Sequence, residues 1–252
     1  MKECYYPGCN SPGKTQEHIP LKSFFPDSKK INLMTVKSCK LHNNEKTKDD
    51  IYVLATICLN SISNSQDDAL EVFETNVKPQ LMHNNKAFLK TLLKNKRKID
   101  DKITSFEVDT SRLDSFFDCL THGVLYKKTN KKVNLDNYNI KHLYKNLEVI
   151  DENNNLVQSN LKTKNFWQSF FPEGGKLSEA IEFKYESDKG YSTEIYSVRF
   201  LGADFIKKLE SDTFHSSITV IHKFFGYFEV ISTLTRVDSF SNTPIYIGKI
   251  NT

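Results

Sequence analysis

The apolar positions of this chain follow three different patterns, and each pattern predicts a different kind of structure. The first fifty residues show little continuous periodicity and carry many turn signals, such as Pro7-Gly8, Pro12-Gly13 and Pro20. A stretch of this kind buries little apolar surface by itself. We therefore expect this first segment to need a stabilising element besides apolar packing.

Helical periodicity dominates the middle of the chain. The run IYVLATICL predicts a helix, and SISNSQ ends it. Residues 67–93 predict one or two helices with an interruption at Pro79. The segment SRLDSFFDCLTHG predicts a short helix that is capped by Thr110-Ser111 and ends at Gly123, and an Asn- and Lys-rich loop is expected after it.

Runs of β-branched and aromatic residues dominate the C-terminal part of the chain. They predict a largely antiparallel sheet, with GADFIKKLES as a helix on one face. The expected fold class is α+β, with a small N-terminal module at 1–60, a helical connector at 61–105 and a C-terminal α+β domain at 106–252. The predicted strands are carried by FWQSFF, AIEFKYES, TEIYSVRFL, SSITVIHKFFG, YFEVISTL and PIYIG.

The composition excludes two broad classes of protein. Hydrophobic residues make up 38% and charged residues 26%, which is typical of a globular chain rather than a disordered one. No apolar run approaches the ~18 residues that a bilayer span needs, and the N-terminus lacks a signal-peptide core. We therefore expect a cytoplasmic protein without a membrane partner. The net charge of +4 permits a polyanionic partner but does not select one.

Three of the five cysteines, Cys4, Cys9 and Cys39, lie in the first forty residues. An odd cysteine count without a secretion signal argues against a disulfide framework and favours metal binding. Four residues separate Cys4 from Cys9, and two separate Cys39 from His42. Two such close pairs joined by a loop commonly hold structural zinc, which closes a segment that apolar burial could not hold. The alternative is that these residues are unrelated reduced thiols and a surface histidine.

The other cysteines and the scattered histidines lack metal-ligand spacing. Cys58 and Cys119 lie on predicted helical faces and are expected to be buried thiols. Five histidines are expected to have structural roles: His83, His122, His142, His215 and His222.

A resemblance to a known family is carried by the residues around the two metal-ligand pairs. QEHIPLK lies between the pairs, INLMTVKSC leads into the second pair, and HNNEKT follows from it. An acid-His-Ile-Pro stretch, an Asn before an apolar run, and a knuckle running into Asn-x-x-Lys-Thr together resemble the HNH endonuclease family, also called ββα-metal or treble-clef nucleases. The resemblance implies a zinc-bound ββα-metal module that hydrolyses phosphodiester bonds. Double-stranded DNA is the expected substrate and anti-phage defence the expected context.

The resemblance also implies a role for each residue of the site. Glu17 and Asn43 would ligate a catalytic Mg²⁺ or Mn²⁺, which supplies counter-charge to the transition state and the departing oxygen. His18 would be the general base, because a neutral imidazole accepts a proton from water near pH 7. Asn32 would orient that base, and Lys46 would contact phosphate.

Two departures from the family pattern leave alternatives open. Glu17 stands where the family often has Asp, so the reach to the cation differs by a methylene. His42 stands where the knuckle usually has a second cysteine, and it could instead lie in the active site. Each catalytic assignment also has a simpler alternative: His18 as a core or turn residue, Asn43 as a helix cap, and Lys46 as a solvated side chain.

Two other functions compete with a DNA nuclease. One is a catalytically inactive zinc-ribbon module that recognises nucleic acid or protein. The other is an RNA-cleaving effector with a similar active site. In each case the C-terminal domain is a candidate surface for a protein partner or a second copy of the chain.

Overall fold

The computed structural model describes residues 2–44, 47–62, 64, 66–94, 96–98, 104–136, 138–147, 149–150, 156–157, 193–201 and 217–236. Within these ranges the chain combines helices with antiparallel strands, so the predicted α+β class is confirmed. Of the helices described there, none is long and apolar enough to cross a membrane.

An antiparallel hairpin followed by a helix forms the N-terminal module. Strand β1, Thr15–His18, pairs with β2, Thr35–Ser38, and helix α1, Lys40–Asn44, follows directly. Two 3₁₀ turns, Lys22–Phe24 and Asp27–Lys29, lie in the loop between the strands. Two strands and then a helix is the element order that the resemblance implies for this module.

Helix α2, Thr47–Ile62, is the helix predicted by the run IYVLATICL, and it ends where SISNSQ begins. Almost all of its middle is buried, because apolar residues occupy nearly every position from Tyr52 to Cys58. A helix that is apolar on all sides has to lie inside the fold rather than on its surface. This helix therefore forms the centre against which the other elements pack.

The helical stretch after α2 is interrupted at a different place from the one predicted. Pro79 lies in the first turn of a helix, directly after a π-helical turn. That wider turn relieves the clash that a proline ring makes with the carbonyl four residues earlier. The chain breaks instead at Asn85 and Lys86, whose φ angles are 52° and 60°. The elements are α3 (Asp67–Val72), the π turn (Phe73–Val77), α4 (Lys78–Met82) and α5 (Ala87–Leu92).

Helix α6, Thr110–Thr129, is much longer than the short helix predicted for this segment. Its N-cap is Asp109, whose Oδ1 accepts a hydrogen bond from the Ser111 backbone at 3.2 Å. The predicted end at Gly123 is wrong, since the helix passes through this glycine and ends at Asn130 with φ 55°. Gly123 allows close packing instead: a Cβ there would lie 2.9 Å from Ile19 Cγ2.

A four-stranded antiparallel sheet forms the C-terminal part, with the strand order β5-β10-β9-β8. Strands β8, β9 and β10 correspond to three of the predicted runs, whereas β5 lies where an Asn- and Lys-rich loop was expected. The other predicted strands and the helix GADFIKKLES lie outside the described residues. The strands of this sheet are β5 (Tyr138–Tyr144), β8 (Tyr196–Leu201), β9 (Ser217–Phe224) and β10 (Phe228–Arg236). Two short antiparallel pairs lie outside it: β3 (Arg97–Lys98) pairs with β4 (Thr104–Ser105), and β6 (Val149–Ile150) pairs with β7 (Leu156–Val157).

One apolar core connects the N-terminal module to α2, α6 and the sheet. Phe24, from the loop of the hairpin, is fully buried, and its ring centroid lies 5.7 Å from Phe116 on α6 and 4.7 Å from Phe224 on β9. The module therefore buries apolar side chains against the rest of the chain. Its own sequence does not reveal this contribution. A metal ion bound to this segment would be an additional constraint and not its sole support.

Candidate functional site

Four side chains near the N-terminus form a group that can hold a metal ion such as zinc. The ligand atoms of Cys4, Cys9, Cys39 and His42 all lie within 4.8 Å of one another. The turn between the first two is tight: Gly8 adopts φ 69°, and the Cys9 N–H donates to the Tyr6 carbonyl at 3.2 Å. Cys39 lies between β2 and α1, and His42 lies on α1 itself.

The distances within this group suit tetrahedral coordination. Cys9 Sγ lies 3.9 Å from Cys39 Sγ, and His42 Nδ1 lies 3.2 Å from Cys39 Sγ and 3.5 Å from Cys4 Sγ. Zinc–sulfur bonds of about 2.3 Å and zinc–nitrogen bonds of about 2.0 Å at tetrahedral angles require separations of roughly 3.8 Å between sulfurs and 3.5 Å between sulfur and nitrogen. Three thiols and one imidazole at these distances match the donor set that zinc prefers.

His42 belongs to this group and does not line the cleft that contains His18. Its Nδ1 faces two thiols, and its ring stacks on Tyr6 with centroids 4.1 Å apart and planes at 14°. Tyr6 in turn meets the edge of His122 on α6, with centroids 5.7 Å apart. These aromatic contacts fix the ring so that its nitrogen points at the sulfurs, as outer-shell contacts commonly do for metal-binding histidines.

The loop that follows α6 adds a positive charge next to the cysteines. Lys132 Nζ donates to the Cys9 carbonyl at 2.8 Å and to Glu3 at 2.7 Å. Burial alone would raise the pKa of Cys9, but hydrogen bonds with Ser11, Cys39 and Cys4 together lower that pKa. This favours the thiolate of Cys9, which is the form that binds metal, whereas burial raises the pKa of Cys4.

A small cleft lies at the end of β1 and contains the proposed catalytic histidine. Its enclosed volume is only about 10 Å³, room for about one water molecule, and it opens widely to solvent. Glu17, His18, Asp50 and Cys119 supply its titratable groups, and the remaining wall is apolar. The lining residues are Glu17, His18, Ile19, Pro20, Leu21, Asp50, Phe116, Cys119 and Leu120.

Glu17 and His18 differ in their surroundings although they are neighbours in the chain. Glu17 is only 3% exposed and lies opposite Val36 on the inner face of the hairpin. Together with burial, its charge raises the pKa of Tyr5. Burial, and then the charge of Lys22, lower the pKa of His18, so its imidazole is neutral at pH 7. His18 Nδ1 is buried and has no hydrogen-bond partner among the described residues.

The two asparagines of the predicted site do not line the cleft. Asn43 lies on α1, and its Nδ2 donates to the Gln16 carbonyl at 3.2 Å, which fastens the helix to β1 next to Glu17. Asn32 is exposed and adopts φ 51° in the turn before β2. Lys46 lies outside the described residues.

Two titratable residues of the cleft were not among the predicted site residues. Asp50 lies in the first turn of α2 and Cys119 on α6. The sequence signal for Asp50 was the acidic pair Asp49-Asp50 in the first turn of α2. The sequence could not show which of the two lines the cleft; in the structure Asp49 forms an ion pair with Arg112 at 3.4 Å. The predicted burial of Cys58 is confirmed, whereas Cys119 is only partly buried.

The histidines of the C-terminal sheet form structural hydrogen bonds, as expected, and His122 on α6 is buried against Tyr6. His222 is fully buried between Thr121 Oγ1 at 3.0 Å and the Tyr196 hydroxyl at 2.8 Å, and burial lowers its pKa to about 3. His142 lies 2.8 Å from Ser232 Oγ and 3.0 Å from an Asp118 carboxylate oxygen. Ser232 is fully buried, so no substrate reaches this Ser-His-Asp array. His83 is exposed, and His215 lies outside the described residues.

Comparison with known proteins finds no matching family model, no matching curated protein and no matching solved structure.

Proposed function

We propose that the protein is a metal-dependent endonuclease of the HNH type that hydrolyses phosphodiester bonds in double-stranded DNA, in the cytoplasm. The observation that supports this most is the cleft that both the neutral, half-buried His18 and the buried Glu17 line. A general base and an acidic cation ligand in one cleft are what metal-assisted phosphodiester hydrolysis requires. Anti-phage defence is the context that the resemblance implies.

Zinc in the group formed by Cys4, Cys9, Cys39 and His42 has a structural role in this proposal. The group links the turn before β1 to the start of α1. Zinc would therefore hold together the two ends of the hairpin that carries Glu17 and His18. All four positions carry protein ligands, as is usual in structural rather than catalytic zinc sites.

In the reaction, the imidazole of His18 accepts a proton from the attacking water. Glu17 would hold the catalytic Mg²⁺ or Mn²⁺, which would supply counter-charge for the phosphate and the departing 3′ oxygen. Asn43 holds β1 in place through the Gln16 carbonyl. The apolar side chains that line part of the cleft lower the local dielectric, which would strengthen these electrostatic interactions.

A second candidate is a binding module without catalytic activity. It is favoured by the positions of Asn32 and Asn43, neither of which lines the cleft. In that case the zinc-stabilised hairpin presents a surface to nucleic acid or to a protein, and the C-terminal sheet offers a further surface for a partner or a second copy of the chain.

The test is the cleavage of supercoiled plasmid by the purified full-length chain with Mg²⁺ or Mn²⁺. We expect nicked and linear products from the wild type, and a loss of at least 100-fold in rate for His18→Ala, as is typical when a general base is removed. His83→Ala is the matched control, because this exposed histidine lies outside the cleft. Absence of metal-dependent nicking, or equal rates for His18→Ala and the wild type, contradicts the proposal. Cleavage of RNA with intact plasmid identifies the RNA-cleaving alternative.

A further inference from the structure

The pairing of the hairpin determines which groups lie next to His18. The Ile19 N–H donates to the Met34 carbonyl at 3.0 Å, which makes these two residues a hydrogen-bonded pair. Because such pairs alternate along an antiparallel ladder, His18 and Thr35 form a non-hydrogen-bonded pair. Their side chains therefore lie close together on one face, while the carbonyl of Thr35 points away from β1 towards the outer edge of β2.

Lys127, in the last turn of α6, brings a positive charge to that edge. Its Nζ lies 3.3 Å from the Thr35 carbonyl oxygen, and its side chain is exposed. Thr35 is one strand away from His18, a spacing of about 4.8 Å. Because the Thr35 carbonyl points away from β1, the ammonium group lies beyond the outer edge of β2, roughly two strand spacings from the backbone of His18.

Lys22 brings a second positive charge from another element. It begins the 3₁₀ turn directly after Leu21, which lines the cleft, and its side chain is exposed. Its charge reaches the imidazole of His18. Two lysines from separate parts of the fold thus lie near the hairpin that carries His18.

Neither lysine forms an ion pair with an acidic side chain in the part of the chain that the structure describes. Other lysines of the same region do: Lys29 pairs with Asp68 at 2.7 Å, and Lys132 pairs with Glu3 at 2.7 Å. The charge of Lys22 helps to lower the pKa of Asp27, after the larger contribution of Lys30, but Lys22 and Asp27 form no ion pair. Two exposed ammonium groups without an ion-paired carboxylate form a positive surface that suits phosphate groups. The hydrogen bond of Lys127 to the edge of β2 orients its side chain and leaves two further donors on the ammonium.

We propose that Lys22 and Lys127 bind phosphates of one nucleic-acid strand that passes over the hairpin carrying His18. This inference rests on the proposed function and identifies the substrate contacts of the same site. The second contact comes from α6, which follows the N-terminal module by about fifty residues. The long helix thereby places a strand-binding residue next to the hairpin.

The test measures binding without cleavage. Full-length His18→Ala protein is titrated against a fluorescein-labelled 20-base-pair duplex, with neither added divalent cation nor chelator, and anisotropy is followed from 50 to 200 mM salt. Lys22→Ala and Lys127→Gln are compared with Lys90→Ala, an exposed lysine on α5 that serves as the matched control. Glutamine at 127 retains a donor for the Thr35 carbonyl and removes only the charge. Lys22→Arg and Lys127→Arg restore the charge.

We expect each neutral variant to bind several-fold more weakly and to reduce the slope of log K against log salt by about 0.9. The arginine variants and Lys90→Ala should bind as the parent does. The inference is overturned if both Lys22→Ala and Lys127→Gln bind the duplex with the affinity and salt slope of the parent protein. It is also overturned if the parent protein does not bind the duplex. If Lys127→Gln unfolds in a melting experiment, Lys22→Ala decides alone, because Lys22 makes no contact with the edge of β2.

The outcomes for this inference and for the nuclease are separable. Plasmid nicking together with unchanged binding by the lysine variants leaves the nuclease standing and removes the inference. Lysine-dependent duplex binding without any nicking removes the nuclease and leaves the strand-binding surface.

Discussion

The buried imidazole of His222 makes the stability of this protein depend on pH. It lies between Thr121 and Tyr196 at hydrogen-bond distance, and burial lowers its pKa to about 3 from an ordinary 6.5. Because the folded-state pKa lies below the unfolded one, the unfolded chain binds more protons between pH 3 and pH 6.5. The stability contributed by the neutral ring is therefore complete above pH 6.5 and is lost as the pH falls.

The size of the effect follows from the two pKa values. At about 1.36 kcal/mol per pKa unit, lowering the pH from 7 to 5 should cost roughly 2 kcal/mol at this residue alone. His122 is expected to contribute in the same direction, because burial lowers its pKa to about 4. Both residues lie in or against α6, so the loss should appear as cooperative unfolding rather than as fraying of one end.

Urea denaturation at pH 7, 6 and 5 measures this loss, with wild type and His222→Asn compared at the same zinc concentration. The variant should be less stable at pH 7 by about 1–3 kcal/mol, because Thr121 and Tyr196 lose part of their hydrogen bonding. Its free energy of unfolding should then fall by roughly 2 kcal/mol less than that of the wild type between pH 7 and pH 5. Changes at the metal group and at His122 are common to both proteins and cancel in the comparison. Equal pH dependence in the two proteins would refute the reasoning.

Two further changes test the N-terminal module and its contact with α6. The wild type should contain equimolar zinc by elemental analysis, and Cys39→Ser should lose both the zinc and the fold of the hairpin; retained zinc in that variant would argue against the four-ligand group. Gly123→Ala should destabilise the protein by about 1–2 kcal/mol in thermal melts, because overpacking against Ile19 outweighs a gain in helix propensity of about 1 kcal/mol. Ile19 is 2% exposed and β-branched, so it has little freedom to move. Ser115→Ala, at an exposed position of the same helix, is the control, and a more stable Gly123→Ala protein would contradict the expected clash.

Local patterns were sufficient for the elements that depend on neighbours in the chain. The buried helix α2 and the strands β8 to β10 follow from runs of apolar and β-branched residues, because the period of such a run reflects one buried face or a fully buried element. The metal group also follows from short spacings, since each close pair is brought together by its own tight turn. The function proposed for the cleft was suggested only by the resemblance to the HNH family.

Residues whose roles depend on distant contacts could not be assigned in the same way. Gly123 has the appearance of a helix end, but its role depends on Ile19, more than a hundred positions away. Asp49 and Asp50 are identical and adjacent, yet one pairs with Arg112 and the other lines the cleft.

The division of roles between His18 and His42 has the same origin. Both are histidines of one short segment, and their spacing alone allows either to bind the metal. The cysteines and Tyr6 surround the ring of His42, whereas α6 closes the cleft around His18. Spacing along a chain specifies which residues a turn can bring together, but the environment of a side chain is set by elements that pack on it from elsewhere in the sequence.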